Sequence, residues 1–344
     1  MLIEDISCKS ADTSLRSSKP SDFLKQCCGF AVLEKSKSEK IKKLGTMRVL
    51  ILGGSGFISG CIARKALSQG NEVYIVSRGN KEIPVGVKSI VADRKVAGSL
   101  EAALSKEETN FDLVVDCIAY NPADAKQTLN LFSGKAGHIV FISTDFVFDP
   151  KKRNFPQCEE NNCFLEDDSY GADKRRAELE YINNQLNFSN WTILRPCHVY
   201  GPGSLAGCLP MHGRDAKLLE RIKNSEELEL VGAGKFLQQP IFVEDLADLA
   251  LSCHLSPAAQ EQIYNCAGPD IIESVEYYQL IADFLSTELK VKELSVLDYL
   301  RDHPEHKSFL CHRIYNLQKF ERDSLPVPRT SIQVGMQLFL QSLL

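Results

Sequence analysis

Met47-Arg-Val-Leu-Ile-Leu-Gly-Gly-Ser-Gly-Phe-Ile-Ser59 opens as an apolar run, Arg48 to Leu52, passes through a glycine turn and continues into a helical pattern. A buried strand, a tight turn and a helix in that order bring bare backbone N–H groups up to a pyrophosphate. Gly53 allows the turn, Gly56 lets backbone approach a phosphate, and the small Ser59 stands where close helix packing would favour glycine. A glycine turn alone is weak evidence, because glycine serves any tight strand-to-helix connection. Its value here comes from the sequence that follows.

From Met47 onward the pattern alternates. Arg48–Leu52, Glu72–Val76, Ser89–Ala92, Leu113–Ile118 and His138–Ser143 read as strands, with Cys61–Gln69, Leu100–Ser105 and Ala123–Phe132 as helices between them. Apolar strands alternating with amphipathic helices predict a parallel sheet covered on both faces. The expected fold class is α/β, a Rossmann-type doubly wound parallel sheet, followed by a smaller mixed α/β C-terminal part that binds substrate. The expected division is an extension over 1–46, a dinucleotide-binding region over 47–203, and 204–344, some of which returns to the Rossmann core. Farther along, 215–222 and 277–285 look amphipathic, and 310–315 reads as a strand or connector near the cleft.

With that context the turn predicts an NAD(P) site built from Gly53, Ser55, Gly56, Phe57 and Ile58. An enzyme that prefers the unphosphorylated cofactor usually offers a carboxylate at the end of the second strand. This chain offers Ser77 and Arg78 instead. A guanidinium suits a 2′-phosphate, which favours NADP over NAD.

The chain has 344 residues, a net charge of -5 and an ordinary balance of charged and apolar residues, so nothing electrostatic favours a polyanion partner. No apolar run approaches the roughly 20 residues that span a bilayer, and the N-terminus lacks a hydrophobic signal core. The 12 cysteines are scattered without any Cys-x-x-Cys, a pattern of reduced, mostly buried thiols and a cytoplasmic compartment. No metal ligand set is expected. Cys158 and Cys163 lack a second pair at zinc spacing. In His303-Pro-Glu-His306 the proline argues against two histidines on one helix face and for a surface turn. Residues 1–46, rich in serine and lysine, read as a disordered or weakly helical appendage; Glu4, Asp5, Asp12 and Asp22 weigh against an organelle leader.

Tyr170-Gly-Ala-Asp-Lys174 puts a phenol and an ammonium four residues apart, on one face of a helix. Taken alone such a pair is common, since long side chains often just lie along a surface. Three further segments stand in order around it: Phe141-Ile-Ser-Thr-Asp-Phe-Val-Phe148, Leu194-Arg-Pro-Cys-His-Val-Tyr-Gly-Pro-Gly203 and Phe242-Val-Glu-Asp-Leu-Ala247. With these and the glycine turn, the chain from Met47 onward resembles the extended short-chain dehydrogenases, the NAD-dependent epimerase/dehydratase family. The resemblance implies that Tyr170 is the acid/base, that Thr144 hydrogen-bonds the reacting oxygen, and that Lys174 holds the nicotinamide ribose and lowers the phenol pKa. An unperturbed tyrosine titrates near ~10, too high for a base at neutral pH. It further implies an adenine contact at Asp93, room for the cofactor at Ala119 and a nicotinamide border at Pro196. Tyr120, Asp145, Phe146, His198 and Gln238 are the expected substrate contacts, with Asp145 either orienting a hydroxyl or capping the turn after its strand.

One departure from the family pattern is informative. Nucleotide-sugar epimerases carry an arginine a few residues before the valine-aspartate motif, and here that place is Gln238. Glutamine offers phosphate no charged fork, although Lys235 or Arg214 stand ready to compensate. The Ser-Thr-Asp-Phe-Val-Phe segment also resembles deoxysugar 4-keto reductases. The expected activity is therefore hydride transfer at a secondary alcohol or ketone, most readily of a sugar or nucleotide sugar, by an epimerase, dehydratase or reductase, with a homodimer as the family-like assembly. The competing reading is an RNA-associated regulatory protein on the same scaffold, since some chloroplast relatives associate with RNA and also replace the arginine.

Overall fold

The computed structural model describes residues 45–105, 110–184 and 190–344, so the expectations for 1–44 lie outside the described residues. Seven strands, β1 (Arg48–Leu52), β2 (Glu72–Ser77), β3 (Lys88–Val91), β4 (Phe111–Asp116), β5 (Ala136–Ile142), β6 (Asn190–Pro196) and β7 (Gln262–Cys266), form one sheet ordered β7-β6-β5-β4-β1-β2-β3. Every neighbouring pair is parallel, with Leu50 opposite both Tyr74 and Val114. The order reverses between β1 and β4, and in sheets of this kind the crevice at that reversal is where ligands bind.

The apolar runs reflect burial on both faces. Val49 and Ile51 pack with Cys61, Ile62 and Ala66 of helix α1 (Phe57–Ser68) and with Leu246 and Ala250 of a later helix, Val243–Ser252. Leu50 and Leu52 point the other way, into a layer with Leu100 of α2 (Ser99–Leu104), Leu129 and Phe132 of α3 (Pro122–Phe132) and Ala177 and Tyr181 of α4 (Tyr170–Ile182). Each fully buried Leu or Ile contributes about 1.5–3 kcal/mol relative to exposure, so both faces hold the strands. A third cluster joins Leu218, Ile222, Leu228, Tyr277, Tyr278, Ile281, Met336 and Phe339.

Element limits differ from the sequence reading for local reasons. Helix α1 starts at Phe57, four residues before Cys61, because Gly56 caps it and donates its N–H to Ser59 Oγ at 3.1 Å. The helix expected from Asp215 begins at Leu218, since Asp215 Oδ1 accepts from the Lys217 N–H at 2.8 Å and holds a turn there. Residues 310–315 form a connector, with only Tyr315 bridged to Gln157. No helix among the described residues is long and apolar enough to cross a membrane.

Candidate active site

Gly53, Arg78, Ala119 and Thr144 lie within three residues of the C-terminal ends of β1, β2, β4 and β5, and Pro196 ends β6, so the sheet gathers these expected residues along one edge. At β1, Gly53 has φ +113, and a Cβ there would lie 2.7 Å from Ile118. Gly54, which the sequence reading passed over, is as constrained: a Cβ would come within 2.3 Å of Ile75. Gly56 is exposed, with only Ser59 Oγ near the place a Cβ would occupy. Ser55, Phe57 and Ile58 complete the turn, and no acidic side chain in the first turn of α1 opposes an anion. These residues fit the diphosphate of a dinucleotide. Ser77 is buried and accepts the Gly79 N–H at 3.3 Å, while Arg78 is exposed and makes no ion pair among the described residues. Asp93, half-buried, accepts the Lys95 N–H at 2.9 Å.

The β4 loop is set by a cluster that the sequence reading did not find. Asp116 is fully buried and accepts N–H groups from Ile118 and Ala119, each at 2.9 Å, while Arg94 bridges it at 3.1 Å and the Thr128 hydroxyl donates to it. Arg94 also donates to the Asp124 carbonyl at 2.7 Å, tying the loop to α3. Ala119 is thereby held with its carbonyl facing Lys174, whose ammonium donates to it at 2.8 Å and to the Ile142 carbonyl at 2.7 Å. Only 2% of Lys174 is exposed, and its Nζ sits 4.4 Å from the Phe141 ring and 5.5 Å from that of Tyr120. Burial pushes its pKa down to about 8, while Asp116 and Glu178 pull it back up.

Helix α4 begins at Tyr170 because Ser169 caps it, accepting the Ala172 N–H at 3.4 Å. Asp167 in turn accepts from the Ser169 N–H and the Lys307 ammonium. Gly171 lets the helix start lie against the short turn Asp145–Val147: a Cβ would fall 1.9 Å from the Phe146 carbonyl oxygen. That approach brings the half-exposed Tyr170 phenol near enough to Thr144 for the threonine hydroxyl to act on its pKa. Tyr120 and Phe146 flank the phenol ring at 6.5 and 6.4 Å. Burial among these rings, with Tyr120 and Asp145, pushes the Tyr170 pKa up to about 12; the groups that pull it down are Thr144 and Arg214. Burial outweighs the groups that lower the phenol, so it stays above its ordinary range, while the Lys174 ammonium donates to two backbone carbonyls.

Asp145 requires a correction. It is buried, and its carboxylate is taken by Arg313, Arg153 and the Tyr315 hydroxyl, so it neither faces substrate nor caps the turn; Thr144 does the capping. Burial raises its pKa, but the two guanidinium groups outweigh that and hold it below the usual carboxylate range. Arg313 is 168 residues away in sequence, so no local pattern signals it. Its guanidinium lies 4.4 Å from the Phe146 ring. Pro196 is buried at the end of β6. Gln238 is fully buried, and neither atom of its amide has a protein partner; the same holds for His198 Nε2. Burial, aided by Arg214 and Arg313, lowers the His198 pKa to about 4, leaving a neutral imidazole.

Residues 49–267 match the family model described as the NAD dependent epimerase/dehydratase family. The chain belongs to that family. Among curated relatives it is 25% identical over 236 residues to the chloroplast stem-loop binding protein of 41 kDa b of Arabidopsis thaliana, covering 64% of this chain and 58% of the relative. It is 23% identical over 264 residues to the divinyl chlorophyllide a 8-vinyl-reductase of Cucumis sativus, covering 69% and 57%. The chain thus matches under three fifths of the length of either relative. Among solved structures, the UDP-glucose 4-epimerase of Thermotoga maritima with UDP-glucose superposes with a TM-score of 0.70 at 17% identity, covering 86% of this chain and 98% of that one. That likeness bears on the fold, a Rossmann-like sheet with flanking helices.

Proposed function

We propose that this family member catalyses NAD(P)-dependent oxidation or reduction of a secondary alcohol or ketone, with Tyr170 as acid/base and Thr144 steadying the reacting oxygen. The observation that carries this is the seating of the Tyr170 helix start against the turn that follows Thr144, where only the glycine at 171 fits, one helical turn from the buried Lys174. When bound, the nicotinamide supplies or accepts the hydride. The protein's part is to hold the oxygen between two hydroxyls and to move one proton at the phenol oxygen. With its pKa pushed up, Tyr170 is protonated at neutral pH and able to donate a proton. The glycine turn with Ser55, Phe57 and Ile58 holds the diphosphate, Asp93 the adenine, Lys174 the ribose, Pro196 the nicotinamide border, and Arg78 favours NADP. His198 and Gln238 offer neutral donors and acceptors without protein partners, which suits the hydroxyls of a sugar or sugar nucleotide. Arg214, exposed and 5.6 Å from the Phe57 ring, lies near enough to act on His198 and stands available for a charged substituent.

Tyr170→Phe tests the reading: NAD(P)H binding, followed by nicotinamide fluorescence, should persist while turnover of a screened keto-sugar substrate disappears. Undiminished turnover would refute it. The similarity to a stem-loop binding protein supports a second reading, nucleic-acid association on the same scaffold. No gel shift at low salt would end that reading.

A further inference from the structure

Beside the Tyr170 mouth, the helix Val296–Asp302 runs into a 3-10 helix, Pro304–Phe309. Pro304 takes the first position, where its missing N–H leaves nothing unpaired, and His303 is the N-cap residue that precedes it, so the two histidines flank a surface turn and do not share a helix face. Across that turn the His306 N–H bonds the His303 carbonyl at 3.0 Å, and the His303 and His306 rings lie 5.3 Å apart at an interplanar angle of 16°. Glu305 Oε1 stands 3.5 Å from His303 Nδ1 and 3.7 Å from His306 Nε2. One ligand atom from each residue falls within 4.8 Å of the others. In a tetrahedral zinc site with nitrogen and oxygen at about 2.0–2.2 Å, neighbouring ligand atoms are about 3.3–3.5 Å apart, so two edges are already near that length. Tyr299 Oη is 2.8 Å from His306 Nδ1. A proton on Nδ1 donated to the phenol oxygen leaves the Nε2 lone pair free on the Glu305 side, as outer partners of metal-bound histidines do.

We propose that His303, Glu305 and His306 bind a divalent transition metal ion, zinc by the chemistry of two imidazoles and a carboxylate, with Tyr299 orienting His306. His303 and Glu305 are exposed, which leaves a coordination position to solvent. The ion would pin a segment that reaches the cleft at three points. Lys307 pairs with Asp167 ahead of Tyr170 at 2.9 Å, the Ser308 carbonyl accepts from Arg313 at 2.7 Å, and Phe309 packs 5.6 Å from Phe146. Zinc therefore stiffens the wall against which Phe146 and Tyr170 pack.

Calorimetric titration of the full chain with zinc, thiols kept reduced, should show one ion per chain lost in both His303→Ala and His306→Ala. Tyr299→Phe should weaken it about ten-fold, the lower end of the effect of outer-sphere partners. Hydrogen exchange over 296–310 should slow with zinc in the wild type and not in the histidine variants. The variants change surface rings, and an unaltered circular dichroism spectrum shows that they fold. Absence of binding, or zinc uptake equal in wild type and variants and hence at the cysteines, overturns the proposal.

Discussion

Glu178 lies one turn beyond Lys174 on α4 and is completely buried. Its Oε1 accepts from Ser143 Oγ at 2.6 Å and Arg195 Nε at 2.9 Å, and its Oε2 from Arg195 Nη2 at 2.7 Å and Arg175 Nη1 at 2.9 Å. Burial raises the pKa of this carboxyl, but Arg195, Ser143 and Arg175 reverse the effect and keep it ionised. Glu178→Ala removes all four acceptor contacts and leaves the Arg195 guanidinium, itself 0% exposed, without its counter-charge. Breaking a buried pair from one side costs about 3–5 kcal/mol, because the remaining charge is neither solvated nor paired. Urea denaturation at pH 7 should show a loss in that range. The double variant Glu178→Met/Arg195→Met should recover much of it, since removing both charges leaves no orphan. A loss under about 1 kcal/mol, or a double variant no more stable than the single one, would refute the assignment of this cluster as the clamp between α4, β5 and β6.

Gly171→Ala puts a Cβ 1.9 Å from the Phe146 carbonyl oxygen where ordinary contact begins at 3.4 Å, a forced movement of 3.4 − 1.9 = 1.5 Å. Turnover should fall roughly 100-fold or more while cofactor affinity stays within about two-fold, and equal turnover would separate Tyr170 from Thr144 in function. Lys174 has a folded pKa depressed to about 8 from 10.5, so the unfolded chain holds the extra proton between those values and stability rises with pH through that window. Wild type should gain about 1.5 kcal/mol from pH 8 to 9.5 relative to Lys174→Met, and parallel profiles would overturn this. Arg78→Ala should weaken NADPH binding and spare NADH in a fluorescence titration; no change in either would remove Arg78 from cofactor choice.

The alternation of apolar strands and amphipathic helices, the glycine turn and the Tyr170–Lys174 spacing are short-range patterns. They were enough to place the parallel sheet and the family, because strand burial and helix periodicity are written within about ten residues. Gly171 was legible in principle, as a glycine in the first turn of a helix. What remained hidden is the charge pairing. Arg313 meets Asp145 across 168 residues, Arg94 meets Asp116 across 22, and Arg195 meets Glu178 across 17. No periodicity specifies such partners, since a carboxylate in the sequence looks the same whether it faces solvent, substrate or a buried guanidinium. Tertiary packing alone decided that Asp145 is an anchor, that Lys174 is tied to two carbonyls and that His303 and His306 face one another. Each of these depends on which charges and rings the folded chain desolvates together.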